Sequence, residues 1–241
     1  MSGVKIVGTG SALPGRVVTN DDMAKIVETS DEWISSRTGI RSRRYCDAQA
    51  GESHRTLVRD AATRALEAAG IEPAQVGVCL VATFTADTCT PSAACLLQAD
   101  LGMPEDTLCL DLNAACAGFV YGLHVAECLL PGAKRPYALV VGADTLSRVM
   151  DFSDRTTCVL FGDGAGAAVL ECREGYPCLH AVWGSRGDDA SLYAPGVGCE
   201  EPSYLHMDGR AVFRFATDVM PLATTQVLEA AGMRADEVDR F

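Results

Sequence analysis

The chain has 241 residues, 48% apolar and 22% charged, which is enough length and apolar content for a buried core and excludes a disordered polypeptide. Its net charge of -12 excludes a general attraction to nucleic acid or to an anionic membrane, so any anionic ligand needs a local basic patch. No apolar run approaches the roughly 18 to 20 residues of a membrane span, and MSGVKIVGTG lacks the plan of a signal peptide, so a cytoplasmic location is expected.

In chain order, VKIVGTG (from Val4) predicts a strand closed by glycines, and NDDMAKIVE (from Asn20) and SDEWISSRTG (from Ser30) predict two helices opened by capping residues. SHRTLVRDAATRALEAAG (from Ser53) has apolar spacing near 3.6 and stops at Gly70. VGVCLVATF (from Val76) predicts a buried strand, and TPSAACLLQADLG (from Thr90) a helix with proline in its first position. LCLDLN (from Leu108) predicts a strand, and AGFVYGLHVAECLL a helix apolar nearly all round, which places it in the middle of the protein. YALVVGAD (from Tyr137), AGAAVLEC (from Ala165) and CLHAVWG (from Cys178) predict further strands. A long helix follows within GRAVFRFATDVMPLATTQVLEAAG, with a kink expected at Pro221. The alternation implies mixed sheets covered by helices.

The sequence repeats itself. LEAAG occurs at residues 66 to 70 and again 162 residues later at 228 to 232, and each copy has a valine at the same distance, Val76 and Val238. Val76 opens the buried strand, whereas only Asp239, Arg240 and Phe241 follow Val238. A second full copy would run about ninety residues past Phe241. The expected organisation is an N-terminal half over residues 1–172 and the start of a second, incomplete half over residues 173–241.

Eleven cysteines form no C-x-x-C pair and their number is odd, which argues against a disulfide framework and a zinc knuckle. No metal is expected. Most of the thiols fit as small hydrophobes, for example Cys79 and Cys109. Cys116 differs. In LDLNAACAGFVYGL it leaves a strand and enters a buried helix, where unpaired N–H groups and the helix dipole favour a thiolate. Ala114, Ala115, Ala117 and Gly118 leave room for a substrate at the sulfur. The alternative is a small residue filling a tight corner.

Trp33 and Arg37, four apart in DEWISSR, share a helical face and offer an indole for an adenine and a guanidinium for phosphate; a packed tryptophan beside a solvated arginine is the alternative. RTGIRSRR gathers Arg37, Arg41, Arg43 and Arg44, which a solvated loop, the phosphates of an anionic ligand or an acidic partner would explain. FGDGAG lacks the lysine of a phosphate-binding loop and the spacing of G-x-G-x-x-G, so its glycines are expected to allow close chain approach.

DLNAACAGFVYGL resembles the nucleophile segment of the β-ketoacyl-acyl-carrier-protein synthase III family, condensing enzymes of the thiolase superfamily that initiate bacterial fatty-acid synthesis. VGTGSALPGRVVTN, TSDEWISSRTGIRSRR, PSAAC, YALVVGAD, FGDGAGAAVL and MDGRAVF resemble that family in the same order, over essentially the whole chain. The resemblance implies a thiolase-like α/β fold of five layers, αβαβα, made of two similar halves, the second incomplete here, and a homodimer. It implies that Cys116 attacks an acyl-CoA thioester and holds the acyl group for condensation with malonyl-acyl-carrier protein. The same resemblance assigns Trp33, Arg37, Arg155, Gly209 and Phe213 to CoA, and Thr90, Leu146, Phe161 and Met207 to an acyl pocket. Thr90 departs from the phenylalanine of many relatives, which would admit a longer or branched primer. The family's decarboxylating histidine lies in a PHQAN-like segment after the position of Phe241, and its asparagine follows. His54, His124, His180 and His206 stand in no such context and are expected to be ordinary surface or core histidines. No cofactor is expected, since the CoA thioester is a substrate. A polyketide priming ketosynthase or acyltransferase, and a catalytically incomplete acyl-CoA-binding fragment, are the alternative readings.

Overall fold

The computed structural model describes residues 2–194, 196 and 204–240. The chain divides into two compact units: Met1–Arg148 with Val159–Leu179, and Val149–Cys158 with His180–Phe241.

In the first unit β1 (Ser2–Ala12) leads to a two-stranded ribbon of β2 (Arg16–Thr19) and, beyond the short helices α1 (Asn20–Met23) and α2 (Asp31–Thr38), β3 (Ser42–Tyr45). The ribbon was not expected from the sequence, because four-residue strands such as SRRY carry too little apolar alternation to signal themselves. Then come α3 (His54–Ala69), β4 (Val76–Ala82), α4 (Ala93–Leu101), β5 (Leu108–Leu112), α5 (Gly118–Leu129), β6 (Tyr137–Thr145) and β7 (Asp163–Glu174). Five of the strands form one sheet in the order β1-β7-β6-β4-β5. β4 pairs parallel with β5 and β6, whereas β7 runs antiparallel to β6 and β1.

Two apolar layers clothe the sheet. Leu57, Val58, Ala61, Ala62, Ala65 and Leu66 of α3 and Ala94 and Leu97 of α4 pack with Val76, Cys79, Val81, Leu139 and Val141 on one face. Ala126, with the partly buried Phe119 and Leu123 of α5, packs with Val78, Leu80, Ala138 and Val140 on the other. A register shift between Val76 and Val78 puts Val76 and Cys79 on the same face despite their odd spacing.

The glycines of VKIVGTG do not end β1, which continues to Ala12. They let the backbone of α3 lie directly on the strand: a Cβ at Gly8 would come 2.5 Å from the Ala65 carbonyl oxygen, and one at Gly10 2.3 Å from that of Ala61. α4 begins at Ala93 rather than after Thr90, because Ser92 Oγ accepts the Cys95 N–H at 3.2 Å and Pro91 precedes this cap. Asp111 of β5 accepts the Ala93 and Ala94 N–H groups at 2.7 and 2.8 Å, completing that helix end.

The stretch Ala115–Gly132 is 18 residues long with mean hydropathy 1.2, so one segment among the described residues is apolar and long enough to cross a membrane by composition, contrary to the sequence expectation. It comprises α5 between two 3₁₀ turns, and its Gly118 and Gly122 sit against Ala82 and Val140 of the sheet. α5 is not buried all round as expected. Gly118, Gly122 and Ala126 face the sheet, while Val120 is 57% exposed.

The second unit holds the ribbon β8 (Leu192–Tyr193) with β9 (His206–Met207) and the long α6 (Gly209–Ala231). Asp208 caps α6 by accepting the Arg210 and Ala211 N–H groups at 2.9 and 3.1 Å. The helix runs through Pro221 without a break. CLHAVWG forms no strand, because no neighbouring strand pairs with it among the described residues.

Candidate active site

Cys116 lies in the connection from β5 to α5, in a 3₁₀ turn over Ala115–Ala117. Asn113 starts this turn, its Oδ1 accepting the Ala115 N–H at 3.1 Å. Ala115 takes φ of 44°, the only described non-glycine residue in the left-handed region, a conformation that costs an alanine about 1 to 2 kcal/mol. The reversal leaves Cys116 exposed two residues before α5, beside first-turn N–H groups that have no intrahelical acceptor. Glycine brings the helix close to the sheet. A Cβ on Gly118 would meet Ala82 Cβ at 3.1 Å, one on Gly122 would meet Val140 Cγ1 at 3.0 Å, and one on Gly142 would meet Phe119 Cβ at 3.2 Å.

Cys116 therefore stands above the C-terminal ends of the parallel strands β4 and β6, where ligands bind in open α/β sheets. It lines a cleft of about 440 Å³ whose walls are mostly small: Gly10, Ala82, Gly142, Gly164, Gly166 and Ala167, with Phe119 and Asp144 the larger groups. Asp144 was missed at the sequence level; its only signal is its position at the end of YALVVGAD. Its Oδ1 accepts from the Thr83 and Thr85 hydroxyls at 3.0 and 2.7 Å and from the Phe84 N–H at 3.1 Å. These bonds tie the loop leading to Thr90 to the end of β6.

His54 Nε2 lies 2.9 Å from Thr83 Oγ1 and 3.1 Å from the Ala143 carbonyl. Burial pushes its pKa down, against the opposing effect of the Ala143 hydrogen bond, so His54 is a neutral core histidine. Burial also pushes the Cys46 thiol up to about 12, reinforced by the neighbouring Asp163. Asp163 accepts hydrogen bonds from the Cys46 and Ser147 N–H groups and the Ser147 hydroxyl, which fixes the start of β7.

Trp33 and Arg37 share a face of α2, and the Arg37 guanidinium carbon lies 4.7 Å from the indole centre. The other arginines of RTGIRSRR divide. Arg43 is buried and donates to the Val18 and Val159 carbonyls, and Arg44 donates to those of Pro14 and Gly15, so neither is the solvated or phosphate-binding group expected from the cluster. Arg41 pairs with Asp31 at 3.8 Å. Of the FGDGAG glycines, Gly162 and Gly164 approach Arg44 and Leu13, whereas a Cβ on Gly166 would meet nothing within 4 Å.

Of the expected acyl-pocket residues, Thr90 is exposed and Leu146 and Phe161 are half-buried in the first unit. The cleft around Cys116 is lined by none of the three. Arg155, Met207, Gly209 and Phe213 belong to the second unit. There Arg155 is exposed in a turn braced by Asp151 and Asp154, Met207 lies on β9, Gly209 opens α6, and Phe213 is 70% exposed.

The family described as 3-Oxoacyl-[acyl-carrier-protein (ACP)] synthase III matches residues 110–187, a span that begins in β5 and contains Cys116. A β-ketoacyl-[acyl-carrier-protein] synthase III of Clostridium acetobutylicum is 41% identical over 99% of this chain and 75% of its own length. The crystal structure of 3-oxoacyl-(acyl carrier protein) synthase III from Pseudomonas aeruginosa superposes with a TM-score of 0.89 at 39% identity, over 98% of this chain and 73% of that one. A priming β-ketosynthase from a polyketide biosynthetic pathway gives 0.87 at 35% identity, over 96% and 71%. The fold is thiolase-like, and the chain belongs to the β-ketoacyl-[acyl-carrier-protein] synthase III family.

Proposed function

We propose that this protein is the initiating condensing enzyme of bacterial fatty-acid synthesis, an acyltransferase that joins an acyl-CoA primer to malonyl-acyl-carrier protein through an acyl-cysteine on Cys116. The observation that carries the reading is the exposed thiol in a strained strand-to-helix turn over a cleft walled by small residues. The sulfur attacks the thioester carbonyl, an oxyanion forms beside the N–H groups opening α5, and its collapse expels CoA as the thiol. Decarboxylation of the malonyl group then supplies the carbanion that attacks the acyl-enzyme. The histidine and asparagine that the family uses for that step are assigned to none of the 241 residues. No cofactor enters the scheme.

Trp33, Arg37, Arg155, Gly209 and Phe213 are the proposed CoA contacts, and Thr90, Leu146, Phe161 and Met207 the proposed acyl contacts. The stacked Trp33 and Arg37 support an adenine site. A homodimer through β5 fits the place of that strand at the end of the sheet, with Leu108 42% exposed. The two proposed thiolase-like halves, 1–172 and 173–241, draw support from the LEAAG repeat. A polyketide priming role is the second reading, favoured by the likeness to the priming β-ketosynthase.

Incubation with a panel of acyl-CoAs, followed by intact mass and peptide mapping, tests the assignment. An acyl adduct on Cys116, absent from a folded Cys116→Ala variant that keeps its CoA affinity, is the expected result. Adduct formation without Cys116 would overturn it, and loss of folding in the variant would make Cys116 a corner-filling residue. Thr90→Phe should shift preference toward acetyl-CoA, since each methylene excluded from burial is worth about 0.8 kcal/mol. Unchanged selectivity would remove Thr90 from the acyl channel.

A further inference from the structure

The far end of α5 carries a second cysteine that the proposed reaction does not use. His124, Glu127 and Cys128 are spaced so that one turn of the helix brings their side chains together. Glu127 is 8% exposed, and its Oε1 accepts the Leu179 N–H at 2.8 Å. Its Oε2 lies 3.2 Å from His124 Nδ1, and the other ring nitrogen, Nε2, lies 3.5 Å from Cys128 Sγ. With the proton on Nδ1 donated to Glu127, Nε2 presents its lone pair to the thiol. A nucleophile, a base and a carboxylate that orients the base thus stand in line, and the sulfur is exposed to solvent.

The position in the helix decides which electrophile suits this thiol. Cys128 is the next-to-last residue of α5, where backbone carbonyls rather than N–H groups are left without helical partners. Attack on an acyl thioester would build an oxyanion with no donor from that helix end. Displacement at a disulfide sulfur builds no oxyanion and requires only a thiolate and access. We propose that Cys128, with His124 as its base and Glu127 orienting that base, is a site of thiol–disulfide exchange with small soluble disulfides. In the step, His124 Nε2 takes the thiol proton as the Cys128 sulfur attacks one sulfur of the reagent R–S–S–R. The Cys128–S–R bond forms, the reagent's S–S bond breaks, and R–S⁻ leaves with its electron pair and is protonated by the imidazolium.

The test exposes the full chain to oxidised glutathione near neutral pH and follows each cysteine by peptide mapping, with the exposed Cys89 and Cys95 as internal reference. Cys128 should form its mixed disulfide at least about tenfold faster than either, a modest effect for a positioned base at an open site. His124→Gln should bring Cys128 to the reference rate and leave Cys116 unaffected, and Glu127→Gln, which keeps an acceptor for Leu179, should give a smaller loss. Circular dichroism verifies that both variants fold. A Cys128 rate no faster than that of Cys89, or one indifferent to His124→Gln, overturns the proposal. A parallel incubation with acyl-CoA should leave Cys128 unmodified, and its acylation would overturn the assignment to disulfides.

Discussion

The segments Leu66–Val76 and Leu228–Val238 are built alike and packed differently. Each helix stops at a left-handed glycine, Gly70 with φ of 66° and Gly232 with φ of 65°. In each, the next N–H reaches back to the leucine carbonyl, Ile71 to Leu66 at 3.0 Å and Met233 to Leu228 at 2.9 Å. A three-residue 3₁₀ turn and an extended valine follow in both. Yet α3 buries seven residues, and α6 buries none. Helix ends and turns are therefore written locally, whereas burial depends on the element that lies opposite.

The largest effect should come from breaking the contact that α3 has and α6 lacks. Gly10→Val would thrust a side chain into the α3 backbone and should destabilise by at least about 3 kcal/mol, the upper range for overpacking. A melting midpoint within about 2 °C of the parent would refute direct packing of α3 on β1. Next, Leu66→Ala should cost about 2 to 5 kcal/mol in chemical denaturation, and the equivalent Leu228→Ala less than about 1, because only the first leaves a cavity in a packed layer. Equal losses would show that the two helices are packed alike. A smaller and matched effect is expected where the segments agree: Gly70→Ala and Gly232→Ala should each weaken their helix end by about 1 kcal/mol, with φ positive in both. Helical content on titration with trifluoroethanol would reveal any inequality.

The smallest effect is electrostatic. Asp106, on the loop before β5, is held down to about 2 by hydrogen bonds from Arg135 and Lys134, from a reference value of 3.8. Its folded pKa is depressed, so its contribution is present above about pH 4 and is lost as pH falls through about 2. The Asp106 carboxylate is exposed, and the effect should be slight. Asp106→Asn should flatten only that acid limb, and an unchanged limb would mean that these contacts do not persist in solution.

Much of the fold was legible because helices of the α3 kind advertise period, cap and stop together, and because a buried parallel strand such as VGVCLVA reads as one apolar run. The strand-to-helix position of Cys116 was legible for the same reason. The glycines of β1 were misread as a strand end, since a close approach between elements distant in sequence leaves no local mark. CLHAVWG has the composition of a strand, but pairing depends on a neighbour that composition cannot reveal. The Asp144 network joins residues about sixty positions apart, and its threonines look like any loop threonines. The arginines of RTGIRSRR show the limit of charge counting, because two of the four spend their donors on backbone carbonyls.

The cleft beside Cys116 owes its width to what Gly142, Gly164 and Gly166 omit, so main-chain geometry rather than rotamer choice sets much of its bore. Such a chamber is hard to enlarge by mutation, for little side chain remains to trim. It can still be narrowed. Gly142 already abuts Phe119, whereas Gly166 faces open space and offers a place for a side chain without a collision. A ladder of residues at position 166 would work as an adjustable stop, setting how much of the chamber stays open while leaving the nucleophile untouched.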